Sequence, residues 1–228
     1  MKLTEIETVL NRRRSVRAYL PDPVARETLE VLLKIARRAP SGGNLQPGCF
    51  HVLTGEALTG LVEQLVQASD IQREPVAEYS YFPKKMARHL RARQFGAGRA
   101  LYQALGIERK DKAARNAQFA LNYRFFDAPV GIVVTIDPSM GKGCFMDLGM
   151  AIMSLFASAE SRGLSSTGIG ALANYADIAH DYLQLPDNEM VVCGIALGYA
   201  DTQHPVNTVV TEREPLENFT MFYGFDDK

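Results

Sequence analysis

The stretch from Phe145 to Ser161 is apolar nearly all round, through Leu148, Met150, Ile152, Met153, Leu155 and Phe156. A helix with no wet face belongs in a core or at a subunit interface, so the rest of the chain has to be arranged around it. Val130 to Ile136 is a β-branched apolar run ending at Asp137-Pro138, which predicts a strand buried on both faces. Cys49 to Leu53 predicts a second buried strand, Met190 to Leu197 a third, and Leu164 to Leu172 a short strand breaking into a glycine turn. Between them lie helical patterns. Thr4 and Glu7 have the form of a capping box that opens a short helix. Leu29, Leu32, Leu33 and Ala36 mark the second helix, and Leu58, Leu61, Val62, Leu65 and Val66 the third. Further helices are expected from about Lys112 to Tyr123 and from Asn174 to Leu185, where Pro186 ends the last of them.

At 228 residues and 46% hydrophobic side chains, the chain can build one sizeable core. Twenty-five basic against twenty-six acidic residues leave a net charge of -1, which argues against a general nucleic-acid binder. Cys49, Cys144 and Cys193 are odd in number and far apart, so reduced thiols in the cytoplasm are expected, with no disulfide framework and no metal site. The beginning of the sequence lacks a signal-peptide pattern, and no stretch is read as a membrane span. No Walker A run and no complete GxGxxG fingerprint occur, and the four histidines show no ligand spacing.

Positive charge is therefore local. Arg12-Arg13-Arg14-Ser15-Val16-Arg17 packs four guanidinium forks and a hydroxyl into six residues, a set suited to phosphate or carboxylate oxygens. Pro40-Ser41-Gly42-Gly43-Asn44-Leu45-Gln46-Pro47-Gly48 is a loop of small residues that lets backbone approach a ligand. From Ser69 to about Asp127 the chain makes a helix-prone excursion. Between Lys84 and Ile107 it holds six Lys or Arg and no acid, with Phe95 and Tyr102 interleaved, and Gly96 and Gly98 are expected to bend or interrupt it. The tail from Asp201 reads as an extended arm. Anion and polar-ring binders without an obvious nucleophile, acid or base are what a protein presents when a bound cofactor does the difficult chemistry.

The segment Arg13-Arg14-Ser15-Val16-Arg17-Ala18-Tyr19 resembles the RxSxRxF/Y signature of the nitroreductase family of FMN enzymes. Ala39 to Pro47 resembles that family's AP-S-S/G-x-N-x-Q-P loop, Arg213-Glu214-Pro215-Leu216 its C-terminal R-x-P-L-E segment, and Leu164 to Leu172 its flavin-edge strand and turn. The long insert is similar to that of nitrobenzoate-reductase-like members. The resemblance implies an α+β fold in residues 1–228, with a mostly antiparallel central sheet flanked by helices. It implies a helical lid at about 69–127, an extended arm at about 201–228, and an intertwined homodimer with FMN at the subunit interface.

Carried over residue by residue, the resemblance assigns Arg13, Arg14, Ser15, Arg17 and Arg213 to FMN, and Pro40, Ser41, Gly42 and Asn44 to the same flavin from the partner subunit. Main-chain NH groups of Gly170 and Ala171 would face flavin N5, and no side chain is assigned as catalytic. Arg88, Arg91, Phe95 and Tyr123 of the insert are expected to meet the substrate. The activity implied is reduction of nitroaromatics or quinones by NADH or NADPH in a ping-pong cycle. Reductive dehalogenation or oxidative flavin breakdown on the same scaffold, and a non-catalytic anion-binding protein, stand as alternatives.

Overall fold

In a computed structural model, which describes residues 2–225, seven α-helices surround one four-stranded antiparallel sheet. In chain order they are α1 (Glu5–Arg12), α2 (Arg26–Ala36), β1 (Cys49–Thr54), α3 (Gly55–Asp70), α4 (Arg88–Ala104) and α5 (Lys112–Ala120). There follow β2 (Val130–Ile136), α6 (Lys142–Ser161), β3 (Ser165–Ile169), α7 (Ala176–Leu183) and β4 (Met190–Gly198). The sheet order is β1-β2-β4-β3. The α+β architecture expected above is present.

Strand β2 is buried from end to end, as its unbroken apolar run requires. Val130, Ile132, Val134 and Ile136 face a core shared with α2 and α6, while Val133 faces a second core shared with α3 and α7. Strand β1, expected to be buried, is an edge strand in which only Leu53 is buried and Cys49 is exposed. The sheet order decides this, because β1 has a partner on one side only.

Thr4 and Glu7 form the expected capping box: the Glu7 NH donates to Thr4 Oγ1 at 3.3 Å and the Thr4 NH donates to Glu7 Oε2 at 2.6 Å. Helix α6 is longer than expected and buries Leu148, Ala151, Leu155 and Ala159 against the sheet. Its outer face stays open, with Met146 70% exposed. At 20 residues it reaches the length and apolarity of a bilayer-crossing helix, against the expectation that no stretch does, and here it packs on α2 and β3.

Near the sheet's β1 edge, Glu189 accepts hydrogen bonds from Thr135 and from His51 Nε2, the latter at 2.6 Å. Burial works to raise the Glu189 pKa, but these donors outweigh it and the carboxyl ends below its ordinary value. A depressed folded pKa gives stability that is present above the unfolded value of about 4.3 and is lost as pH falls through the lower folded value. Glu189→Gln should therefore flatten the acid limb of a plot of Tm against pH, and an unchanged slope would dismiss the group as a source of acid sensitivity.

Candidate flavin site

The residues that the sequence assigns to the site lie on four segments. Helix α1 is fixed to the C-terminal end of α6 by Arg12, whose Nε meets Glu160 Oε1 at 2.6 Å and whose Nη2 donates to the Glu160 carbonyl at 3.0 Å. The chain then runs extended along the exposed edge of β3, where Ser15 bridges Ser166 and the Val16 NH donates to the Ser166 carbonyl at 3.4 Å. Val16 is buried, Arg13 and Arg17 are half-buried, and Ser15 is exposed. Asn207 fixes the stretch from below: its Oδ1 accepts from the Arg17 NH and its Nδ2 donates to the Ala18 carbonyl, both at 2.8 Å.

Arg17 is half-buried, and this loss of water pulls its pKa below the usual arginine value. Among the described residues its guanidinium reaches only the Ser15 carbonyl, at 3.2 Å. Among the described residues no carboxylate pairs with Arg13, Arg14 or Arg17. A desolvated cation without a counter-ion calls for an anion. The hydroxyl of Ser166, 2% exposed, also lacks a hydrogen-bond partner among the described residues.

Past Ile169, β3 breaks into a 3-10 turn that begins at Gly170, as its glycine pattern predicts. A Cβ at Gly170 would lie 3.1 Å from Tyr81 Cε2, so the missing side chain lets the Tyr81 ring rest over this peptide. Tyr81 belongs to an aromatic cluster with Tyr79, Phe82 and Phe145, and the Tyr79 hydroxyl anchors it by donating to the Val192 carbonyl at 2.6 Å.

The Pro40 loop is preformed. Gly43, Asn44, Gln46 and Gly48 have φ of 57°, 58°, 49° and 88°, the left-handed region in which glycine and asparagine are least strained. The Gly42 NH donates to Asp147 Oδ2 at 3.0 Å, the Gln46 NH to Ser41 Oγ at 2.9 Å, and Arg37 donates to the carbonyls of Gln46, Pro47 and Gly48. In this chain the loop is not beside Arg17. Asp147 and Glu160 anchor the loop and α1 to opposite ends of α6, about 20 Å apart at 1.5 Å per residue.

Arg213 lies exposed on the arm and donates to the Thr211 carbonyl and hydroxyl and to the Glu212 carbonyl; Arg14 is also exposed. The insert differs from expectation at several points. Helix α4 runs unbroken through Gly96 and Gly98, and α5 stops at Ala120, before a 3-10 turn. Arg93 is occupied by Glu214, Nε to Oε1 at 2.6 Å, which ties the arm to α4. Arg91 and Phe95 line a cleft between α4 and α5; Arg88 does not.

Tyr123, expected at the substrate, is 3% exposed, accepts from Asn174 Nδ2 at 3.2 Å and packs on Tyr175 at 4.9 Å. It is a core residue. Sequence reasoning missed Arg37, Asp147, Asn207 and Tyr81. Of these only Arg37 left a local signal, a cation at the end of the helix that delivers the loop.

An α+β sheet with an arginine-rich stretch beside an edge strand, in which Arg17 is half-buried and unpaired with any carboxylate among the described residues, is suited to an anionic group. The profile of the nitroreductase family matches residues 10–199, and the chain belongs to that family. It is 39% identical over 223 residues to a 4-nitrobenzoate reductase of Pseudomonas putida, covering 97% of each chain. The FMN- and NADPH-dependent nitroreductase NfnB of Sphingopyxis sp. strain HMH matches with a TM-score of 0.93 at 38% identity, over 97% of this chain and 100% of that one. The FMN-dependent NfnB of Mycobacterium smegmatis, solved with NADPH, matches with a TM-score of 0.91 at 30% identity, over 95% and 97%.

Proposed function

We propose that the chain is an FMN-dependent oxidoreductase that uses NADPH or NADH to reduce nitroaromatic acceptors, nitrobenzoates among them, or quinones, by a ping-pong mechanism in the cytoplasm. The observation that carries this reading is Arg17, a half-buried cation without a carboxylate partner among the described residues, set beside Ser15 on the edge of β3. FMN, when bound, supplies the electron transfer between donor and acceptor. The chain supplies position and charge. Arg13, Ser15 and Arg17 hold the phosphate and pyrimidine end, with Arg14 and Arg213 adding positive charge, and the NH groups of Gly170 and Ala171 set a polar edge beneath Tyr81.

The site is completed by a second copy. If α6 packs antiparallel on its own copy, the Asp147 end of one helix lies beside the Glu160 end of the other. That brings Pro40, Ser41, Gly42 and Asn44 of one subunit to the Arg17 edge of its partner. Exposed Ile6 and Leu10 on α1, Met146 and Met150 on α6, and Phe219 to Phe225 on the arm supply the apolar surface for such a homodimer. Light scattering should give twice the chain's 25.2 kDa. A monomer that still held FMN would overturn the shared site.

Arg88 and Arg91 on α4 have no acidic partner among the described residues and would steer anionic acceptors. Arg88→Ala/Arg91→Ala is expected to lower kcat/KM for 4-nitrobenzoate about three- to tenfold at low salt, with much less change for nitrobenzene. Equal effects on the two acceptors would remove the steering role. The reading as a whole is tested by the visible spectrum of the purified protein, its bleaching by NADPH or NADH without oxygen, and recovery on adding 4-nitrobenzoate. A colourless protein that fails to take up FMN would sink it.

A further inference from the structure

The insert contains a feature that the flavin site does not use. Helices α4 and α5 enclose a cleft of about 720 Å³. Arg91, Arg99, Arg109 and Arg115 line it against a single acid, Glu108, and none of the four is ion-paired among the described residues. Two aromatic rings sit among them: Arg109 lies over Phe95 at 5.5 Å and Arg115 over Tyr102 at 4.7 Å. Arg115 donates to the Arg109 carbonyl at 3.2 Å, and its Nε is buried without a hydrogen-bond partner among the described residues.

Stacked guanidinium and aromatic planes suit a flat heterocycle, and the surplus of positive forks suits phosphate groups rather than a single carboxylate. The volume lies in the range of sites for ligands of drug size, more than a single benzoate ring fills. The cleft also adjoins the candidate flavin site. Arg93 ties α4 to Glu214, next to Arg213, and α4 contacts the Pro205–Thr208 turn that carries Asn207. From Arg93, Arg99 and Tyr102 are six and nine residues along the helix, about 9 and 14 Å. The chain has no complete GxGxxG fingerprint to hold a dinucleotide by backbone and helix dipole, so side-chain cations must do it.

We propose that the α4–α5 cleft seats the adenosine half of NADPH, with Arg99 and Arg109 reading its 2′-phosphate, so that NADPH is preferred over NADH. This rests on the reading of the chain as an NAD(P)H-using flavoenzyme. The test uses the FMN-loaded protein and Arg99→Ala/Arg109→Ala, with binding of 2′,5′-ADP and of 5′-AMP measured by calorimetry and reduction by NADPH and NADH followed in stopped flow. The parent is expected to bind 2′,5′-ADP at least about tenfold more tightly than 5′-AMP, and the variant to lose that difference. The apparent Kd for NADPH should rise by a similar factor while that for NADH moves less than about twofold. Lysine at both positions should restore part of the preference, since lysine keeps the charge but not the fork.

Equal shifts for NADPH and NADH, or 2′,5′-ADP bound no better than 5′-AMP by the parent, would overturn the proposal, as would calorimetric displacement of 4-nitrobenzoate but not of 2′,5′-ADP from the variant. Failure of the flavin reading would look different: the parent itself would take up no FMN.

Discussion

Arg17→Ala is expected to weaken FMN binding by about a hundredfold or more, whereas Arg12→Ala should change it by less than about threefold. Both residues belong to one basic run, and their surroundings separate them. The charge of Arg12 is satisfied by the Glu160 side chain and carbonyl, so its removal costs a surface anchor of α1. Arg17 is desolvated, with no carboxylate partner and only the Ser15 carbonyl in reach among the described residues, so its charge is left to meet an anion in the proposed site. Fluorescence titration of the apoproteins with FMN gives the ratio directly. A second readout excludes simple misfolding: removing an uncompensated half-buried cation should leave the apoprotein's Tm unchanged or raised, while the rise in Tm on adding FMN is lost. Equal loss of FMN from both variants would return the run to being a general patch of charge. Asn207→Ala should fall between the two, because it frees the Arg17 backbone but leaves the guanidinium in place.

Features set by local chemistry were legible in the sequence. The capping box at Thr4, the doubly buried run of β2, the glycine turn after β3 and the bracketed Pro40 loop each depend on residues a few positions apart. Arg13, Ser15 and Arg17 stand out through the resemblance to the RxSxRxF/Y signature, in which they fall at every second position. What was left open or misread depends on partners distant in the chain. Arg12 and Arg93 are removed from the pool of free cations by Glu160 and Glu214, 148 and 121 residues away. The exposure of β1 follows from sheet order, and the burial of Tyr123 from Tyr175 and Asn174. Gly96 and Gly98 are expected from the sequence to bend or interrupt α4, since each costs a helix about 1 kcal/mol relative to alanine. The surrounding leucine, arginine, alanine and glutamine residues, all strong helix formers, carry the helix across them.

The other large effect is expected in the core, at the point where the insert re-enters the sheet. Phe125, Phe126 and Asp127 have φ of 50°, 53° and 56°, three consecutive side-chain-bearing residues in left-handed backbone. Each such residue costs about 1–2 kcal/mol, so something has to hold the turn. Phe125 does so by burying its whole ring, 0% exposed, over two glycines of the central strands. A Cβ at Gly131 would lie 3.1 Å from Phe125 Cδ1, and one at Gly194 3.0 Å from Phe125 Cε1. The ring, the two glycines and the strained turn therefore form one unit. Phe125→Ala should destabilise the protein by about 3–5 kcal/mol, seen as a lower midpoint of urea unfolding at unchanged slope. Gly194→Ala alone should cost about 1–3 kcal/mol by overpacking. In the Phe125→Ala background the added methyl enters space the ring has left, so the two changes should cost less together than their sum, by about 1 kcal/mol or more. Strict additivity would mean that the ring and the strand glycines are not packed as one unit, and a loss below about 1 kcal/mol for Phe125→Ala would mean that the turn is held by other contacts.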